Sequence, residues 1–276
     1  MTTPARAADI VFTRHPARRG LAWLRESWAM FSRARLPWLV LISLYYAILL
    51  VVNLVPILGQ LAWPLLKPVF AVGLLAAAWA QERGATPSPG DLFKGFKANV
   101  RALLPLGVTF IAGVALAAFS TSIVDGGLFL GLVAGEEAPS IESLSSPRLQ
   151  AGLLFGALVA LPVTLALWFA PALVVFQDAG PGVALGASLR AALANWRPLT
   201  VYAAGVLAFG VLLPLVAGQT LLMLLPSETV LAVVRFLLLA YGLMFAATLH
   251  VSDYVSYRDV FHSGETLAPV PPGAPR

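Results

Sequence analysis

Few residues in this chain are able to do chemistry, and their positions say where any chemistry would sit. His250, Asp253 and Tyr257 are spaced i, i+3 and i+7, so one helix face presents an imidazole, a carboxylate and a phenol. A His–carboxylate pair relays protons or, with a third ligand, holds a metal. At a membrane boundary the same residues serve as an interfacial anchor. Lys67 and Arg235 each interrupt an apolar run, roughly 9 Å inside it. A cation at that depth is expensive and points to an anion or headgroup site. It is also held by snorkelling, or by partners such as Asp125, Glu228, Gln60 or Gln219. His15 and His262 fall in terminal segments that read as disordered.

The patterns that mark catalysis are missing. The phosphate loop, the dinucleotide loop, H-E-x-x-H and G-x-S-x-G do not occur. Gly186-Ala187-Ser188 lacks the glycine that would complete the last of these. The chain has no cysteine, which excludes disulfides, thiol nucleophiles and Cys-ligated metals. The expectation is a protein that is not an enzyme and carries no cofactor or metal.

The elements that position these residues must be membrane helices. Of 276 residues, 59% are apolar and 11% charged, against about 45–50% and about 25% in soluble domains. Residues 36–66, 102–124, 149–177 and 198–227 are free of charge. Each run reaches the roughly 20 residues that cross a hydrocarbon core, and lipid leaves the backbone no partner but itself. The fold class is therefore all-α and polytopic. Six transmembrane helices are expected at Trp38–Ile57, Leu61–Ala80, Leu103–Val124, Leu149–Phe176, Leu199–Leu225 and Thr229–Ser252. The first two turn at Pro56-Ile57-Leu58-Gly59 and the last two at Pro226-Ser227-Glu228.

The basic residues are sorted to one side of these spans. Fifteen of the 18 Lys and Arg lie before the first span, between the second and third, between the fourth and fifth, and after the sixth. The opposite connections contain only Arg148, with Asp125, Glu136, Glu137 and Glu142. By the positive-inside rule both termini are cytoplasmic and the protein is multi-pass in a bacterial inner membrane. The net charge of +5 is thus a topology signal and not a nucleic-acid surface.

The three basic connections also align without gaps, at 27–37, 95–105 and 188–198. Each begins with a small residue (Ser27, Gly95, Ser188), places a large apolar residue second and ends at a proline (Pro37, Pro105, Pro198). Leu185, Leu189, Ala192, Leu193 and Trp196 follow the spacing of one helix face. The reading is three tandem units, 20–80, 88–176 and 182–257, each an interfacial amphipathic helix followed by a transmembrane hairpin. A flexible basic N-terminus (1–19) and a flexible Pro-rich tail (258–276) flank them. Arg25, Arg33, Arg35, Lys94, Lys97, Arg101, Arg190 and Arg197 would then lie among lipid headgroups.

Residues 20–107 resemble an uncharacterised family of polytopic bacterial inner-membrane proteins. The likeness is carried by Gly20-x2-Trp23-x4-Trp28-x2-Phe31, Pro56-x2-Gly59, Pro68-Val69-Phe70-x2-Gly73-Leu74, Leu92-Phe93-x-Gly95-Phe96 and Leu104-x2-Gly107. It implies a location and an architecture without a reaction. A fainter similarity is to the membrane portion of membrane-bound glycerophosphodiester phosphodiesterases, whose catalytic domain is absent from this chain. The functional expectation is a non-enzymatic membrane protein that interacts with lipid, anionic lipid foremost, or that scaffolds membrane partners or copies of itself. A small transporter or channel and a lipid-modifying enzyme are the alternatives.

Overall fold

Backbone that must satisfy itself in hydrocarbon folds here into helices joined by short connections. A computed structural model describes residues 10–55, 58–225 and 227–262. Pro56, Ile57 and Pro226 of the expected turns, residues 1–9 with Arg6, and residues 263–276 with Arg276 lie outside the described residues, as does the side chain of Gln60. The elements are α1 (Arg19–Arg33), α2 (Arg35–Asn53), α3 (Leu58–Glu82), a 3-10 turn (Pro89–Phe93), α4 (Lys94–Lys97), α5 (Val100–Asp125), α6 (Leu128–Ala134), α7 (Ile141–Ser145), α8 (Pro147–Trp168), α9 (Ala170–Phe176), α10 (Pro181–Ala194), α11 (Trp196–Leu207), a π turn (Ala208–Leu212), α12 (Leu213–Leu224) and α13 (Glu228–Phe261). Six helical stretches among them are long and apolar enough to cross a membrane, and the chain is an all-α polytopic membrane protein.

The spans begin earlier than the prolines suggest. Pro37 and Pro198 are the third residues of α2 and α11, where a missing N–H costs nothing. Pro105 lies one turn further into α5. The fifth span is broken by its π turn two residues before Pro214, a proline that donates no N–H to the helical ladder. The Tyr241 hydroxyl of α13 donates to the Phe209 carbonyl in that turn at 2.5 Å.

Small residues set the packing. Gly152 of α8 lies against Asp125, and Gly156 against Ala117, so α5 and α8 pack closely along their length. At Gly20 a Cβ would lie 2.0 Å from the Pro198 carbonyl oxygen, and at Gly95 1.9 Å from that of Val69. No side chain fits in either place. The same reason explains the aligned small residues: Ser27 and Ser188 are fully buried, and the Ser188 hydroxyl donates to the Leu165 carbonyl while accepting from Phe169 N–H.

Two expectations need correction. The units are unlike one another: α1 has 15 residues and α10 has 14, but the second connection forms only a five-residue 3-10 turn and the four-residue α4. A Ser88–Asp91 capping box starts that turn, and Asn99 stops it by capping α5. In α10 the buried face is Ala184, Ala187, Ser188, Ala191 and Ala192, while Leu193 and Trp196 of the predicted stripe face outward. Close approach selects the alanines and leaves the larger groups for lipid. Finally, the termini are ordered further than the composition suggests. Ile10 is buried, Thr13 N–H donates to the Val260 carbonyl at 2.7 Å, and α13 runs to Phe261.

The hairpins also differ in reach. Gly107 of α5 lies against Leu65 of α3; beyond that crossing α3 has about 10 Å left before Leu58, whereas α5 continues for about 27 Å. Tyr45 of α2 packs edge-on against His250 of α13; from there α2 extends about 12 Å and α13 about 33 Å. Asn53 and Leu58, the described ends of that hairpin, therefore fall well short of the ends of α5 and α13.

Candidate functional site

The buried core gathers at the end that carries the basic connections, and a polar network binds it. Asp259 is its hub: Trp23 Nε1 donates to Oδ2 at 2.7 Å and Arg19 Nε at 2.9 Å. His15 lies 2.9 Å from the Asp259 carbonyl, and its backbone N–H donates to Asn195 Oδ1 at 2.8 Å. Asn195, itself fully buried, returns a hydrogen bond to the Thr13 carbonyl. Glu26 pairs with Arg19 and Arg258, and Glu82 with Arg258 and the Tyr254 hydroxyl. Burial works against the charge of Arg19, but hydrogen bonding and attraction to Asp259, then Glu26, outweigh it and raise the guanidinium pKa. Gln81 joins α1 to α2, accepting from Trp38 Nε1 and donating to the Met30 carbonyl.

Sequence reasoning missed this network. Its acids stand near arginines in the sequence and read there as ordinary boundary charges. The available signal was acidic residues at Glu26, Glu82 and Asp259 on the side where basic residues dominate.

The His250–Asp253–Tyr257 face divides. His250 Nδ1 is 3.5 Å from Asp253 Oδ2, and its ring packs on Tyr45. Tyr257 turns away, fully buried, with its hydroxyl 3.0 Å from His262 Nε2 and accepting from Gln177 Nε2 at 3.3 Å. Among the described residues no group of three His, Cys, Asp or Glu is placed to hold a metal ion.

Nor are Lys67 and Arg235 brought together. Arg235 is exposed on α13, roughly two turns from Glu228. Lys67 borders a cavity of about 280 Å³ between α3, the α5–α8 pair, α9 and α13, with Asp253 also in its lining. Phe110, Val163, Trp168 and Pro171 supply much of its apolar lining. The Lys67 ammonium stands 4.2 Å from the centre of the Phe110 ring, an attractive cation–π geometry. Among the described residues it forms no ion pair within 4.0 Å. Asp125 is occupied otherwise, accepting from the N–H groups of Gly127 and Phe129. The Asp253 side chain lines the cavity and is 46% exposed, with the His250 imidazole 3.5 Å from one of its oxygens.

All eight cations expected at the headgroups are exposed: Arg25, Arg33, Arg35, Lys94, Lys97, Arg101, Arg190 and Arg197. Trp28, Phe93, Phe96, Leu193 and Trp196 are exposed in the same three connections. Lys94 also pairs with Asp91 at 2.5 Å, and Arg197 lies over the ring of Trp196.

Six apolar spans, a packed end studded with exposed cations and aromatics, and a cavity opening among the helices define a polytopic α-helical membrane protein. Comparison with known proteins gives the family. The chain is 30% identical over 266 residues to a probable inner membrane protein of Burkholderia thailandensis, an alignment that spans 94% of this chain and 95% of that one. It belongs to the family of that protein and is a multi-pass inner-membrane protein. No protein-family model matches it, and no solved structure matches it.

Proposed function

We propose that the protein is a non-enzymatic, lipid-interacting component of the inner membrane, whose basic end lies on the cytoplasmic leaflet with both termini on that side. The observation that supports this most is the pairing of exposed cations with exposed aromatic and leucine side chains in all three basic connections. Rings sink into the acyl boundary while cations meet phosphates, and each cation near an anionic surface contributes about 1 kcal/mol of attraction. The spans already hold these helices at the membrane, so the energy selects anionic lipid locally and is not needed for anchoring. Fifteen basic residues against one in the connections supports the orientation.

The test is the lipid that travels with the purified protein. Replacing Lys94, Lys97 and Arg101 together by Gln is expected to lower its enrichment in anionic lipid, measured by native mass spectrometry, without preventing insertion. Unchanged enrichment in a correctly inserted variant would mean that these cations serve topology alone.

A further inference from the structure

We propose that the cavity between Lys67 and Asp253 is a binding site for a membrane phospholipid that carries both a phosphate and an ammonium, of the phosphatidylethanolamine class. This rests on the lipid-interacting reading and names a second, more selective site. An apolar cavity among membrane helices here is lined by one cation, Lys67, and one carboxylate, Asp253, on different helices and without an ion pair to each other within 4.0 Å. Lys67 has the Phe110 ring and Asp253 the His250 imidazole beside it, and a charge in apolar surroundings is costly unless it is matched more fully than that. A purely anionic headgroup satisfies Lys67 but is repelled by Asp253, and a free cation does the reverse. A zwitterionic head answers both at once, with its phosphate at Lys67 and its ammonium at Asp253. The remaining lining, with Pro68, Val114, Val163 and Leu167, matches acyl chain.

The probes are phosphatidylethanolamine and phosphatidylglycerol with identical chains, offered at equal concentration to the delipidated full-length protein and read by native mass spectrometry. The single most tightly held lipid of the wild type is expected to be phosphatidylethanolamine, whatever anionic lipid the exposed cations hold more loosely. Asp253→Asn is expected to shift the ratio toward phosphatidylglycerol by about fivefold, and Lys67→Met to weaken both. A ratio that Asp253→Asn leaves unchanged overturns the zwitterionic site. Loss of all lipid binding from the wild type would instead overturn the lipid-interacting reading itself. The Lys94, Lys97 and Arg101 variant keeps the two apart, because it is expected to leave the ratio at the cavity as it was.

A separate observation, the register of the hairpins, carries a second inference: the geometry points to an α2–α3 hairpin that enters the membrane and returns without crossing it. Its described ends, Asn53 and Leu58, stop about 17–21 Å before the ends of α5 and α13 along the helices, which is more than half of a 30 Å hydrocarbon core. The chemistry of the tip agrees. Leu50, Val51, Leu54, Val55 and Leu61 are exposed, and residues 36–66 carry no charge, whereas the two other connections at that end carry Glu136, Glu137, Glu142, Arg148 and Glu228. The backbone near the tip is also satisfied within the hairpin, as hydrocarbon demands. Leu54 N–H donates to Val51, Val55 N–H to Val52 and Gly59 N–H to Val55. The Asn53 side chain turns back onto the Leu49 carbonyl.

Single cysteines in the full chain, which has none of its own, test this with a membrane-impermeant thiol reagent. Val55→Cys is expected to stay unlabelled from either side of the membrane while Ala138→Cys labels from one side. Labelling of Val55→Cys from the same side as Ala138→Cys would show a full crossing.

Discussion

The two halves of the molecule are built on different principles. At the basic end, Trp23, Phe31, Trp38, Tyr254 and Tyr257 are fully buried, ion pairs join α1, α3 and the end of α13, and His15 of the N-terminal segment hydrogen-bonds to Asn195 and Asp259. In the other half α12 buries no residue at all, and a groove of about 470 Å³ between α12 and α13 is bordered by side chains such as Leu221, Val234 and Leu238. Lipid is as apolar as leucine, so association between helices there rests on close contact of small residues and on interhelical hydrogen bonds such as that of Tyr241 to Phe209. The Gly152 and Gly156 seam of α5–α8 has that contact, while α12 faces outward with Leu213, Leu215 and Val216. Water makes burial pay at the basic end, and polar groups there can still be matched one by one.

Substitutions sharpen that contrast. Trp23→Ala removes a fully buried ring and the indole hydrogen bond to Asp259, and is expected to cost about 3–5 kcal/mol, read as a lower unfolding midpoint in detergent. Asp259→Asn is expected to cost about 2 kcal/mol, because Arg19 and Trp23 lose a charged acceptor while the shape is kept. Leu215→Ala on the exposed face of α12 should stay within about 0.5 kcal/mol. A comparable loss at Leu215 and Trp23 would erase the distinction between the halves, and would mean that α12 is covered by something in the native membrane.

Much of this architecture was legible in the sequence, because long apolar runs have one physical solution in a bilayer. The six long apolar helices and the exposure of the eight cations follow from composition and spacing. The failures share a cause. Periodicity detects large apolar residues, so it found the outward stripe of Leu193 and Trp196 but not the alanine face through which α10 packs. A local alignment also cannot see partners over 200 residues away, such as Asp259 for Arg19 and Trp23. Nor did helix-face spacing foresee that Tyr257 would leave His250 and Asp253 for Gln177 and His262. Lys67 was visible as an outlier, but the presence of Asp253 in the same cavity lining depends on tertiary packing.

The contrast between the halves has meaning for function only if they face different compartments. Thiol labelling of intact cells tests this directly with two exposed positions, Thr86 at the basic end and Ala138 at the other. Ala138→Cys is expected to react with an impermeant reagent added from outside, and Thr86→Cys only after the membrane is permeabilised. Labelling of Thr86→Cys in intact cells would place the basic end outside and contradict the assignment of its cations to the cytoplasmic leaflet.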